Sequence, residues 1–105
     1  MVDPQEIRAF ADRVVREFHP ERIILFGSHA RGTPGPDSDV DLLIVMSFQG
    51  KPWHMASEIR RRARPTFPID LLVRTPEQVR EQSARRNSFL RQIVHEGVIL
   101  YESEP

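Results

Sequence analysis

The chain has 105 residues with 15 acidic and 15 basic side chains, so its formal net charge is zero. A neutral chain has no overall field that attracts nucleic acid, and we expect nucleic acid to be at most an indirect partner. The absence of cysteine excludes disulfides and thiolate metal sites and fits the cytoplasm. No apolar run approaches the length of a membrane span, and we expect residues 1–105 to form a single domain.

The spacing of apolar residues predicts a succession of helices and strands. Asp3 and Pro4 are typical of a helix start, and apolar residues recur at helical spacing up to Phe18, before His19-Pro20 ends the helix. The elements predicted after it are a strand over Arg22–Phe26, one or two helical turns over Ser28–Gly32, a strand over Val40–Met46, a helix over Trp53–Arg64, a strand over Ile69–Val73, a helix opened by Thr75-Pro76, a helix near Asn87–Glu96 and a last strand over Val98–Tyr101.

The order of these elements constrains how the strands pair. Asp41 and Asp70 each lie at the start of a strand, and the helical connection between the two strands is long enough for a parallel pairing. Gly27 and Ser28 follow the end of the first strand, so they reach the two aspartates only if that strand runs antiparallel to the second. The unbroken apolar run of Val40–Met46 indicates a strand covered on both faces. We therefore predict an α/β (α+β) fold with a mixed sheet and helices packed on it.

Asp39 and Asp41 are the most informative polar pair in the sequence. Residues i and i+2 of a strand point to the same face, so the two carboxylates are expected side by side. Ionised carboxylates are costly to bury without a partner, and a hard divalent cation accompanied by phosphate oxygens is the natural one. An acidic turn at a strand entry is the alternative. The fixed spacing from Gly27-Ser28 favours a metal-dependent site for nucleotidyl transfer.

Two stretches of the sequence carry a family resemblance. The pattern Gly-Ser-x-Ala-Arg-Gly at residues 27–32, followed by Ser-Asp-x-Asp-Leu-Leu at residues 38–43, resembles the polymerase-β-like nucleotidyltransferase superfamily. The short chain and its ending, Phe89–Val94 followed by Gly97–Glu102, are similar to the minimal nucleotidyltransferases of that superfamily. The resemblance implies a polymerase-β-like core with a mixed three- to four-stranded sheet. Members of the minimal group are commonly paired with a HEPN-domain protein, in some systems as an antitoxin that adenylylates a HEPN ribonuclease toxin.

Three carboxylates form the predicted catalytic and metal-binding set. Asp39 and Asp41 fit as shared ligands of two Mg²⁺ ions, with triphosphate oxygens and water completing the coordination. Asp70 would, by the resemblance, bind the catalytic ion and help to remove the proton of the acceptor hydroxyl. A strand-entry aspartate without a catalytic role is the alternative for Asp70.

Gly27, Ser28 and Arg31 form the predicted nucleotide-binding set. Glycine lets the backbone approach a phosphate closely, serine offers a hydroxyl, and the helical turn that follows presents free N–H groups, so Gly27 and Ser28 are expected to hold the β- and γ-phosphates of ATP. A strand-to-helix turn capped by Ser28 is the alternative. Arg31 matches the signature, and it either contacts phosphate or pairs with a carboxylate.

Other conspicuous side chains receive structural interpretations. We expect His29 to be exposed to solvent and Trp53 to anchor its helix in the core, with stacking on adenine as the alternative for Trp53. Phe89 is expected on one apolar helix side with Leu90, Ile93 and Val94. Arginine runs are interpreted as solvated helix faces, with a docking surface for an acidic partner or RNA as the alternative: Arg60, Arg61, Arg62, Arg64, Arg85 and Arg86.

Three functions are consistent with these residues and the resemblance. The leading hypothesis is a magnesium-dependent enzyme that moves AMP from ATP to a hydroxyl of a partner protein, as the antitoxin of a HEPN toxin. The second is an antitoxin that neutralises the toxin by contact alone, although the intact Asp39, Asp41 and Asp70 argue against lost catalysis. The third is an adenylyltransferase subunit that modifies a small molecule such as an antibiotic.

Overall fold

A computed structural model describes residues 2–104 of the chain. Its elements are α1 (Pro4–Phe18), β1 (Arg22–Phe26), α2 (Ser28–Arg31), β2 (Val40–Val45), α3 (Pro52–Ala63), β3 (Ile69–Arg74), α4 (Pro76–Ser83), α5 (Phe89–Glu96) and β4 (Val98–Glu102). All the predicted elements are present, and their ends differ from the prediction by one or two residues. None of the helices within residues 2–104 is long and apolar enough to cross a membrane.

The strands form one mixed sheet in the order β3-β2-β1-β4. β1 pairs antiparallel with β2, and β2 pairs parallel with β3 across the α3 crossover, as predicted. β4 adds antiparallel to the other edge of β1. The predicted fold class is therefore confirmed.

Helix ends follow the capping chemistry of the sequence. The Asp3 carboxylate accepts a hydrogen bond from the Gln5 amide (2.8 Å), and the α1 cap is completed by Glu6. α5 begins at Phe89 instead of the predicted Asn87, because Ser88 caps it by accepting from the Arg91 amide (2.9 Å) and Asn87 has a positive φ of 62°. This cap fixes where α5 starts relative to the sheet.

The two faces of the sheet are covered by different helices. One cluster joins α1 and α3 to side chains such as Leu42 and Ile44 of β2. The other, on what we call the α5 face, joins Val79 of α4 and Leu90 and Ile93 of α5 to alternate strand residues, among them Leu43. β2 is buried on both faces, as its apolar run predicted.

The predicted core position of Trp53 is wrong. Its side chain is 70% exposed and lies against the neighbouring His54 ring. Trp53 belongs to the first turn of α3, whereas the buried residues of this helix, Ile59 and Ala63, lie in its second half. The first turn therefore extends past the core.

The arginine run of α3 is partly neutralised within the protein. Arg61 pairs with Glu58, and Arg62 pairs with Glu17 (2.6 Å) while its guanidinium lies over the Phe18 ring. These contacts support the interpretation of this run as a solvated helix face.

Candidate active site at one edge of the sheet

Asp41 and Asp70 lie side by side at the end of the sheet where β2 and β3 begin, which we call the acidic edge. They are register partners in the parallel pair of β2 and β3. Alternation along β2 places Asp41 on the same face as Leu43, which is the α5 face. Asp70 shares that face with Leu72, which packs against the same cluster. Two carboxylates from different strands are thus presented to one space.

The surroundings of Asp41 raise the pKa of its carboxyl group. Partial burial raises the pKa of Asp41 above the ordinary carboxyl range, and the nearby charges of Asp70 and Asp39 raise this pKa further. The charges of His29 and Arg31 act in the opposite direction and lower it. An added cation would therefore stabilise the ionised form of Asp41.

Gly27 gives the Asp41 carboxylate its room. It follows directly after Phe26, the register partner of Asp41, and has a φ of 76°. A Cβ built on Gly27 would collide with Oδ2 of Asp41 and lie 3.2 Å from its Cγ. Only glycine leaves the carboxylate in this position, because any side chain would displace it.

Ser28 and Arg31 begin and end α2, the short helix beside the acidic edge. Gly27 occupies the cap position, and its carbonyl accepts from the amides of Ala30 (3.1 Å) and Arg31 (3.2 Å). Ser28 is the first helical residue and makes no capping hydrogen bond, so its alternative interpretation as a cap is wrong. The exposed Arg31 takes part in none of the ion pairs found within residues 2–104.

His29 is half-buried, so the prediction of an exposed side chain is wrong. Its Nδ1 is buried and has no hydrogen-bond partner among residues 2–104. The residue lies within α2, close enough to Asp41 for its charge to lower the pKa of that carboxyl. The turn into α2 folds this side chain back against the protein, which the sequence spacing alone did not indicate.

A cavity of about 340 Å³ opens between the acidic edge and α5. Its lining comes from the end of β1 with α2, the starts of β2 and β3, and one side of α5 with the residue after it: Phe26, Gly27, Ala30, Arg31, Asp41, Asp70, Leu71, Leu72, Phe89, Gln92, Ile93, Glu96 and Gly97. Four predicted site residues, Gly27, Arg31, Asp41 and Asp70, line it. Asp39 and Ser28 do not line it, although Asp39 influences Asp41 electrostatically.

The sequence analysis missed the contribution of α5 to this cavity. Phe89 was expected on one apolar helix side with Leu90, Ile93 and Val94. It is 60% exposed, and its ring meets the Phe26 ring edge-on at 5.7 Å between centroids. Phe89 is the first residue of α5. The core is instead filled by Leu90 and Ile93, which lie on the neighbouring side of the helix. The available signal was the spacing of Phe89, Gln92 and Glu96, which places all three on one helix side.

The donor set fits a divalent cation of the magnesium type. Mg²⁺ in phosphate-transfer sites is usually held by one or two carboxylates together with phosphate oxygens of the substrate. Asp41 and Asp70 provide two such carboxylates. Burial, followed by repulsion from Asp70 and Asp39, raises the pKa of Asp41, and a cation would offset both effects. Within residues 2–104, no group of three or more His, Cys, Asp or Glu side chains is arranged to hold an ion by itself. Phosphate oxygens and water would therefore complete the coordination.

A family model matches part of this chain. The family model of the nucleotidyltransferase domain matches residues 7–52, which include both Gly27-Ser28 and Asp39-x-Asp41. This match agrees with the resemblance predicted from the sequence. This match also supports the prediction that the protein is a transferase. No curated protein sequence matches the chain.

Solved structures share the nucleotidyltransferase fold of this chain. A candidate nucleotidyltransferase from Sulfolobus solfataricus is similar with a TM-score of 0.65 and 19% identity, over 93% of this chain and 78% of that one. A toxin–antitoxin structure with AMP-PNP has a TM-score of 0.58 and 21% identity, over 92% of this chain and 74% of that one. A mutant of the toxin–antitoxin MntA-HpeT has a TM-score of 0.52 and 16% identity, over 99% of this chain and 76% of that one. At these identities the likeness shows the fold, which a candidate nucleotidyltransferase and toxin–antitoxin proteins share.

Proposed function

We propose that this nucleotidyltransferase moves AMP from ATP to a hydroxyl of a partner protein, and that the partner is a HEPN-domain toxin. The observation that carries the proposal is the pairing of Asp41 with Asp70 on one face of the sheet, in a cavity bordered by Gly27. The toxin–antitoxin structures with this fold, one of them with AMP-PNP, support the choice of nucleotide and the context.

The proposed reaction exchanges one phosphorus–oxygen bond for another. The acceptor oxygen attacks the α-phosphorus of ATP, the bond between the α-phosphorus and the bridging oxygen breaks, and pyrophosphate leaves. Asp70 is proposed to take the proton of the acceptor hydroxyl. Asp39 and Asp41, with Asp70, would hold two Mg²⁺ ions. When bound, such ions offset the charge that develops on the entering and leaving oxygens.

The remaining site residues are proposed to hold the nucleotide. Gly27 leaves space for a phosphate to approach the backbone, and Ser28 follows it at the start of α2. Arg31 lines the cavity with a guanidinium that is not engaged in an ion pair within the described residues. It is therefore available to phosphate oxygens.

ATP should bind only in the presence of Mg²⁺ or Mn²⁺. Without a cation, the negative carboxylates would repel the negative triphosphate: Asp39, Asp41 and Asp70. Titration calorimetry with ATP, first with Mg²⁺ and then with EDTA, measures this directly. Equal affinity under the two conditions would contradict a metal-dependent site.

A further inference from the structure

Phe89 is the one large apolar side chain that the cavity exposes beside the carboxylates. Among residues 2–104 the exposed large hydrophobic side chains are Trp53, Phe89, Val98 and Ile99, and of these only Phe89 lines the cavity. The other apolar members of the lining are partly or fully buried. An exposed aromatic ring inside a ligand-sized cavity is typical of a surface that a ligand covers.

The Phe89 ring packs edge-on against the Phe26 ring. Its centroid lies 5.7 Å from that of Phe26, with an angle of 82° between the ring planes. The next residue, Leu90, and Ile93 anchor α5 in the core, and Ser88 caps the helix. Because the ring is 60% exposed and restrained by an edge-on neighbour, it offers surface for stacking at a reduced further cost in side-chain entropy.

The same side of α5 carries a rim of hydrogen-bond acceptors. The Gln92 amide nitrogen donates to Oε2 of Glu96 (3.2 Å), and both residues line the cavity beyond Phe89. One N–H of the Gln92 amide is engaged in this bond, and within residues 2–104 the Gln92 carbonyl oxygen and the second Glu96 carboxylate oxygen accept no hydrogen bond. The rim therefore suits a ligand group that donates N–H bonds.

From this arrangement we propose that Phe89 is the stacking platform for the nucleobase and that the Gln92–Glu96 rim accepts hydrogen bonds from an exocyclic amino group of the base. The inference rests on the proposed function, because the nucleoside is bonded directly to the α-phosphate that Asp41 and Asp70 would face. The nucleoside must therefore occupy space that adjoins these carboxylates. The cavity provides that space, and its volume of about 340 Å³ lies within the ~300–1,000 Å³ range of small-molecule sites.

The test compares nucleotide with bare triphosphate. With Mg²⁺ present, Phe89→Ala should raise the Kd for ATP about 5- to 150-fold, the loss expected when a stacked base loses its aromatic partner. The same variant should bind inorganic tripolyphosphate as the parent does, since no base is involved. Phe89→Tyr should retain ATP binding. Trp53→Ala, which removes an exposed aromatic ring outside the cavity, is the matched control and should have no effect.

The rim is tested with inosine triphosphate, which carries a carbonyl oxygen in place of the amino group of ATP. It should bind about tenfold more weakly than ATP, or worse, since an acceptor would face an acceptor. This preference should disappear in Glu96→Ala. Equal binding of the two nucleotides by the unmodified protein would overturn the assignment of the rim.

Three outcomes distinguish the possibilities. Unchanged ATP affinity in Phe89→Ala would overturn the stacking platform, and if transfer to the partner then failed, the ring would contact the acceptor instead. Equal loss of ATP and tripolyphosphate binding would show a disturbed phosphate site and would also overturn it. A parent protein that binds ATP with neither Mg²⁺ nor Mn²⁺ would instead refute the proposed function. Thermal melting checks that each variant folds.

Discussion

Replacing Asp41 by Asn should abolish nucleotidyl transfer and, at neutral pH, make the metal-free protein more stable. The loss of transfer is expected to be on the order of 10³-fold or more, because ion-assisted charge stabilisation contributes several kcal/mol and about 1.36 kcal/mol is a factor of ten in rate. Transfer is measured as incorporation of labelled AMP into the partner.

The expected gain in stability follows from the pKa of Asp41. Burial, Asp70 and Asp39 raise this pKa, so the folded protein retains the proton to higher pH than the unfolded chain does. The protonated form of Asp41 therefore favours folding at pH below the ordinary carboxyl range. This contribution is lost as the pH rises through the raised pKa of the folded state. Asparagine carries no charge at any pH, so it avoids the loss.

Melting curves in EDTA at several pH values test this account. The variant should melt a few degrees above the parent at neutral pH, since ~1 kcal/mol shifts the Tm of a small domain by ~4–8 °C. The difference should vanish at acidic pH, where both Asp41 and its replacement are neutral. Asp37→Asn, which changes an exposed carboxylate of the preceding loop, is the control and should alter neither property. A destabilised Asp41→Asn would indicate that the carboxylate supports the fold.

Gly27→Ala should impair both folding and ATP binding, whereas Gly32→Ala should impair folding alone. Both glycines flank α2 and have positive φ, 76° for Gly27 and 75° for Gly32. A Cβ on Gly27 collides with the Asp41 carboxylate, but a Cβ on Gly32 meets nothing within 4 Å. The backbone cost is about 1–2 kcal/mol for Gly32 and about 1–3 kcal/mol for Gly27, whose φ and ψ lie in a region that is nearly glycine-only.

The two readouts separate backbone strain from displacement of the carboxylate. Melting should show a loss in both variants, with the larger loss for Gly27→Ala. Calorimetry with ATP and Mg²⁺ at a temperature where both are folded should show weakened binding for Gly27→Ala only. Normal ATP affinity in a folded Gly27→Ala would mean that the position of the Asp41 carboxylate is unimportant for binding.

The pairing of Asp41 with Asp70 was predictable from the sequence because strand starts and connection length determine it. The helical connection between the two apolar strands is long enough for a parallel pair, and parallel neighbours bring equivalent positions together. Gly27 was equally readable, since the end of an antiparallel first strand must meet the start of the second.

The side-chain environment at the ends of helices was not predictable in the same way. Trp53 and Phe89 both lie in a first helical turn, where periodicity gives the helix side but not whether the core extends that far. The burial of the His29 side chain depends on how tightly the chain turns into α2 after Gly27. These are tertiary properties, and they account for the two aromatic residues and the histidine whose surroundings the sequence did not reveal.

The intact mass of a HEPN partner, measured after incubation with this protein, ATP and Mg²⁺, tests the central claim most directly. The claim predicts an increase of about 329 Da for each AMP transferred, with pyrophosphate released. The double variant Asp39→Asn, Asp41→Asn should still bind the partner but should produce neither the mass increase nor neutralisation of the toxin. Full neutralisation by that double variant, with no change in mass in any reaction, would contradict the enzymatic account and leave an antitoxin that acts by contact.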